Sequence, residues 1–249
     1  KGQGHNMWPG WFKSQRLTDF MIAKALGWPN LELGTPFVDD AVLQRGLPVP
    51  VWGWSKPGSK VTVQFAGQSK AIEADGRGRW KVTFEPLKAS DEEREMKVSS
   101  GNDAITIRGV LVGEVWFSSG QSNMDWIAGR SNCRDLANSL ARSKDEVPIR
   151  EFAVDIGSSL FPQTRTTSQD GWKRSRAAGN FSALSLAFAS DLYNELKVPI
   201  GIVRSTHGAT PIETWTAYEG FADHSKLQDI ALRVRQSNPA TSDSKEAFT

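Results

Sequence analysis

The 249-residue chain is poor in several of the residues that usually carry chemistry. Its one cysteine, Cys133, excludes an intrachain disulfide and any zinc cage built on thiolates. Three histidines, His5, His207 and His224, leave little for a histidine-rich metal centre, and neither a metal nor another cofactor is expected. No apolar run is long enough to span a bilayer. Net charge is only +2, from 30 basic and 28 acidic residues, and no cluster of Lys and Arg is interleaved with aromatics, which argues against nucleic acid as a partner. What is present is ordinary globular usage, 39% hydrophobic and 23% charged, enough for a sizeable core. Ten Trp stand against two Tyr. Indoles stack well on sugar rings, which hints at carbohydrate handling, while each single Trp is more commonly a core residue.

Three stretches differ in pattern. Residues 1–30 read as a leader segment without strand periodicity; within it Leu17, Phe20, Met21 and Ala25 recur at helical spacing before Gly27 and Pro29. Residues 31–112 alternate: Val61, Val63 and Phe65, then Trp80, Val82 and Phe84, then Met96 and Val98, then Ile105 and Ile107. Period two with one face buried predicts short strands, and the turns at 56–59, 66–68, 75–78 and 100–103 predict a β-sandwich domain. From Gly113 the order becomes strand (Val115–Ser118), strand (Ile149–Val154), helix (Phe181–Leu196, capped by Ser182) and strand (Pro199–Val203), which predicts a parallel α/β layer over 113–249. Leu184, Phe188, Leu192 and Leu196 fall on one helical stripe and are expected to face the core. A helix over Leu227–Val234 is expected in an otherwise polar tail.

Two strand ends draw attention. Val115–Ser118 runs into Ser119-Gly120-Gln121-Ser122-Asn123-Met124. Reactive groups in open α/β sheets sit at carboxyl ends of strands, and a Ser opening a helix there has an exposed hydroxyl beside free backbone amides that can receive an oxyanion. Ser122 is thus a candidate nucleophile; the alternative is a capping Ser in a tight turn. Met124 stands where G-x-S-x-G has its second glycine, against an ordinary α/β-hydrolase elbow. Pro199–Val203 runs into a second such loop, Arg204–Glu213, in which Gly208 could bring an amide to a substrate oxygen or could simply satisfy a turn.

Residues Gly113 to Trp126 resemble the nucleophile block of the sialate O-acetylesterase family, of the SGNH-type carbohydrate esterases. Pro36–Arg45 and Pro48–Trp54 resemble that family's amino-terminal β-domain, Phe181–Leu184 its helix start, and Val198–Val203 with Gly208 and Thr210–Trp215 its later loop. The resemblance covers roughly residues 34–218 in order. It implies an amino-terminal β-sandwich followed by a three-layer α/β/α hydrolase domain, and a serine esterase that removes O-acetyl groups from sugars, most directly sialic acid. It implies Ser122 as nucleophile, Ser122 and Gly208 amides as oxyanion donors, Gln121 and Asn123 as residues shaping the loop, and Thr210 and Glu213 in support. Secretion, or a periplasmic or lysosomal location, follows from the substrate class.

Two departures bear on this. The family's later loop usually reads Trp-Gly-Gly-Thr, where this chain has His207-Gly208-Ala209-Thr210. His207 is read as a pocket wall, with a general base as the rival role. The family's Asp-x-x-His block, which supplies base and orienter, has no counterpart here: Asp223-His224 has the wrong spacing. The chain is therefore expected to be the front part of a longer enzyme, completed by a carboxyl-terminal remainder, or one proteolytic piece of it; Lys1 and not Met at its start reads as processing or excision. The alternatives are an esterase for acetyl xylan or another glycan, and a non-catalytic carbohydrate-binding relative without the base.

Overall fold

A computed structural model describes residues 27–157, 165–216, 220 and 223–237. The helix expected over Leu17–Leu26, most of the leader and the tail beyond Ser237 lie outside them. The chain divides into two compact units, one formed by Trp28–Ile156 with Arg165–Ala209, the other holding Thr210 onward.

In the first unit the alternating segments form strands. They are β1 (Leu31–Leu33), β2 (Val42–Gln44), β3 (Val49–Ser55), β4 (Lys60–Phe65), β5 (Gln68–Glu73), β6 (Arg79–Phe84), β7 (Ser90–Ser100) and β8 (Asp103–Gly120). The register of β4 and β5 leaves Ala66-Gly67 as a two-residue hairpin loop, both at positive φ (48° and 78°), the handedness that matches strand twist. β1, β3 and β6 make a three-stranded antiparallel sheet. Its inward residues Val51, Trp80, Val82 and Phe84 share one core with Val61, Val63 and Phe65 of β4, Met96 and Val98 of β7, and Ile107, Val110 and Val112 of β8. Every second residue of β6 is buried, as period two requires.

β8 is the spine of this unit. Its first half pairs antiparallel with β7, and Glu114–Gly120 pairs parallel with β11 (Ile200–Thr206). Register shifts between Ser90 and Met96 and the positive φ of Gly109 (68°) mark a bulge; β7 pairs with β8 on both sides of it, as far as Val112, and β11 takes over from Glu114. The boundary expected between residues 112 and 113 therefore falls inside one continuous strand. Gly113 sits at the crossing point: a Cβ there would lie 1.9 Å from the Pro199 carbonyl oxygen, so only glycine lets β8 and β11 meet this closely. Beyond β11 the sheet continues through β9 (Ile149–Ala153), parallel, to β10 (Trp172–Arg174), antiparallel.

Helices flank this part of the sheet: α1 (Ser122–Asp125), α2 (Arg134–Arg142) and α3 (Ala183–Leu196). Ser182 caps α3 as expected, its hydroxyl accepting from the Ser185 amide, and Lys197 ends it in the left-handed region. The expected core stripe is a correction. Leu184 and Phe188 are 51% and 43% exposed, Leu196 is exposed and Leu192 is half-buried, while Ala183, Ser185, Leu186, Ala189 and Ser190 face inward. Ala137 and Leu140 of α2 join Ala183, Leu186 and Ala189 on Ile149, Ile200 and Ile202 in a second core. Small side chains let α3 approach the sheet closely, so its bulky residues project outward.

The second unit contains, among its described residues, short 3-10 turns at Ile212–Trp215 and Ser225–Leu227 and helix α4 (Gln228–Ser237). The helix expected at Leu227–Val234 is present; it begins one residue later and ends three residues later.

Candidate active site

Strand β8 ends at Gly120, whose φ of 141° turns the chain into α1. A Cβ at Gly120 would meet Met124 Cγ at 2.9 Å. Met124 thus packs over the glycine, which accounts for a bulky residue at a position where a serine-hydrolase elbow carries glycine. Gln121 is the N-cap, and the Met124 and Asp125 amides both donate to its carbonyl, at 2.9 and 3.2 Å. Ser122 is the first helical residue, so its amide has no intrahelical acceptor. The side chains of Gln121, Ser122 and Asn123 are exposed. The Ser122 hydroxyl donates to Gln121 Oε1 at 3.2 Å.

The loop after β11 lies against this turn. The His207 amide donates to the Gly120 carbonyl at 3.1 Å, extending the β8–β11 pairing past the strand end. A methyl built on Gly208 would stand 3.9 Å from Ser122 Cβ and 4.0 Å from its Cα, ordinary contact distances. Gly208 and Ser122 are therefore neighbours, as two parallel strand ends require. Thr210 and Glu213 belong to the second unit. There the Thr210 hydroxyl accepts from Trp215 Nε1 at 2.9 Å, and Glu213 lies in the turn Ile212–Trp215.

Ala209 has φ of 62°, a left-handed conformation that costs a residue with a Cβ about 1–2 kcal/mol. Ala209→Gly should relieve this, less the entropy that glycine loses on folding, for a net gain of about 0.5–1 kcal/mol. Urea denaturation checks it, and a loss of stability would mean that the methyl makes a compensating contact.

Beneath Ser122 lies a polar network that the sequence reading missed. Asp125, which ends α1, accepts from Arg204 Nη1 at 2.9 Å and from Thr206 Oγ1 at 2.8 Å. Arg204 Nε donates to Glu151 Oε1 at 3.1 Å, and Glu151 Oε2 accepts from the Ser182 amide at 3.0 Å. Glu151 is 2% exposed. Burial raises its pKa, with Arg204 and the Ser182 amide acting in the opposite direction. The network thus joins β9, β11, the start of α3 and the Ser122 turn. One signal was available: Glu151 and Arg204 are charged residues inside or beside otherwise apolar strand patterns, and buried charges are paired. No group of three or more His, Cys, Asp or Glu side chains among the described residues could hold a metal ion.

No protein-family model matches the chain. Individual proteins do. A solved carbohydrate acetylesterase from Xanthomonas citri is 37% identical, with a TM-score of 0.71 over 78% of this chain and 44% of its own. Sialate O-acetylesterase of Mus musculus is 29% identical over 184 residues, covering 67% of this chain and 34% of the relative. The Homo sapiens protein is 28% identical over 200 residues, 72% of this chain and 37% of the relative. The class is thereby given: a mixed α/β fold of the carbohydrate-esterase kind. Within it, the chain is similar over about two thirds of its length to sialate O-acetylesterases. It spans about a third of the length of these curated relatives.

Proposed function

We propose that this chain carries the nucleophile part of a carbohydrate O-acetylesterase, with O-acetylated sialic acid as substrate. The observation that carries the reading is the exposed Ser122 at the end of β8 with Gly208 against it. In this reading Ser122 Oγ attacks the acetyl carbonyl and loses its proton to a general base. The Ser122 and Gly208 amides receive the oxyanion. The sugar hydroxyl leaves with a proton, and water hydrolyses the acetyl-serine to acetate. Gln121 Oε1 holds the hydroxyl in the resting state, and Asn123 shapes the loop. Thr210 and Glu213 act in support. The names of the relatives supply the ester and the sugar class.

The same reading divides the chain into a β-sandwich over 31–112 and the front of an SGNH-type α/β/α domain over 113–249, after a leader at 1–30. The two-sheet core around Val51, Val63 and Phe84 supports the first part, and parallel β9, β11 and β8 support the second. The base comes from the carboxyl-terminal remainder, and His207 is a wall of the pocket. A secreted, periplasmic or lysosomal location fits the substrate. No helix among the described residues is long and apolar enough to cross a membrane.

Acetate release tests the reading. The longer polypeptide should deacetylate O-acetylated sialic acid faster than acetyl xylan; the reverse order would move the substrate to another glycan. The 249-residue chain alone should hydrolyse an aryl acetate roughly 10²–10⁴-fold more slowly than the longer polypeptide, the usual contribution of a positioned base. Strong turnover by the chain alone that disappears in His207→Phe would make His207 the base.

A further inference from the structure

Trp126 follows α1 directly, one helical turn after Ser122, and its amide donates to the Ser122 carbonyl at 3.1 Å. Its φ of −66° is still helical, so its Cβ keeps the helical direction. Residues four apart on a helix share a face, with Cβ atoms about 5–6 Å apart, and the later side chain leans back toward the earlier one. Trp126 and Ser122 are therefore neighbours on one side of the turn. Asp125 leaves on another side, to Arg204 and Thr206.

Hydrogen bonds on several sides hold Trp126 in place. Its carbonyl accepts from the Ala183 amide at 2.8 Å, its neighbour Ile127 bridges to Ser182, and its indole Nε1 donates to the Arg130 carbonyl at 2.9 Å. The residue is nevertheless 59% exposed. No other described tryptophan is as exposed: Trp54, Trp80 and Trp172 are buried, and Trp116, at 45%, meets Phe188 edge-to-face. An indole left in water forgoes a large gain from burial. With its N–H edge turned to Arg130, Trp126 keeps a ring face for a ligand.

We propose that the Trp126 ring is the platform on which the pyranose of an O-acetylated sugar stacks while its acetyl group meets Ser122. The inference rests on the reading of Ser122 as nucleophile, and adds to it the group that selects a sugar over other acetyl esters. One ester oxygen joins the acetyl carbonyl to the sugar. A pyranose whose acetyl carbonyl lies at Ser122 Oγ is thus within reach of a side chain one turn away. The C–H groups on one face of a pyranose are weakly positive, and the indole face carries the negative part of its quadrupole. The sugar hydroxyls stay at the rim, where water reaches them. The bond to Arg130 fixes the indole before the sugar arrives, so stacking orders little that was free.

Kinetics of the longer polypeptide test this, with O-acetylated sialic acid and acetylated xylo-oligosaccharide as sugars and ethyl acetate as an ester without a ring. Trp126→Ala should lower kcat/KM for the sugar ester about tenfold more than for ethyl acetate, mainly through KM. Trp126→Phe keeps a ring but loses the bond to Arg130, and should lie between the parent and Trp126→Ala. Equal losses on sugar ester and ethyl acetate overturn the proposal; with a fall in melting temperature they would give Trp126 to packing against the rest of the polypeptide. An unchanged preference for the sugar in Trp126→Ala overturns it too. Binding separates the proposal from the esterase reading. In the Ser122→Ala background, titration calorimetry should show the sugar bound about tenfold more weakly once Trp126→Ala is added. That result in a protein whose parent releases no acetate would remove the esterase reading and leave the platform standing. Failure of the Ser122→Ala form to bind either sugar overturns the platform.

Discussion

Ser122→Ala in the longer polypeptide should reduce kcat for acetate release by at least about a thousandfold, since removing a nucleophile typically costs several orders of magnitude. KM should change little, because a hydroxyl that attacks in the transition state adds little to ground-state binding. The fold should be unaffected. Ser122 is exposed, and its hydroxyl bonds to Gln121 Oε1, itself an exposed group that water can satisfy. Circular dichroism and melting temperature should therefore match those of the parent. The measurement separates two roles for a serine in this turn. A capping or turn-forming serine would show up as lost stability with activity retained. A variant that keeps more than about a tenth of the parent rate, at unchanged stability, would remove Ser122 from the mechanism.

The alternating strands and the two strand ends could be read from residues alone, because period two and glycine-rich turns are local properties. Trp80, Val82 and Phe84 are buried in the order their spacing requires. The juxtaposition of Ser122 and Gly208 also follows, since parallel strands bring their carboxyl ends together. Other features depend on partners that a linear reading cannot supply. The 18-residue length of β8 was hidden because Gly109 and Gly113 look like breaks, whereas one forms a bulge and the other a close crossing. The inward face of α3 was misread because Leu184, Leu186, Phe188 and Ala189 make that helix apolar on more than one side, and the distance to the sheet decides which side packs. Arg204 and Glu151 look like isolated charges until β9 and β11 pair.

The Arg204–Glu151 ion pair should be costly to break. Arg204→Met leaves Glu151, 2% exposed, with the Ser182 amide as hydrogen-bond donor and the attraction of Lys173. Stranding a buried charge in this way costs about 3–5 kcal/mol. For a protein of this size that is roughly a 10 °C fall in melting temperature. The loss should depend on pH in a definite direction. The folded-state pKa of Glu151 lies above its ordinary value of 4.5, because burial opposes the charge more than Arg204 and the Ser182 amide favour it. The folded state therefore holds the proton more tightly than the unfolded state, and stability declines as pH rises from about 4.5 through the raised value. Without Arg204 the opposition from burial is less relieved, so Arg204→Met should lose more stability at pH 8 than at pH 5. Adding Glu151→Gln removes the charge while keeping an acceptor for the Ser182 amide, and the double variant should recover most of the loss and flatten the pH dependence. Asp125 would still be held by Thr206 in both variants, so it keeps one of its two side-chain bonds to β11. Denaturation of the four members of this cycle at both pH values measures the coupling. A loss under about 1 kcal/mol in Arg204→Met would mean that water reaches the pair as it does at an exposed site.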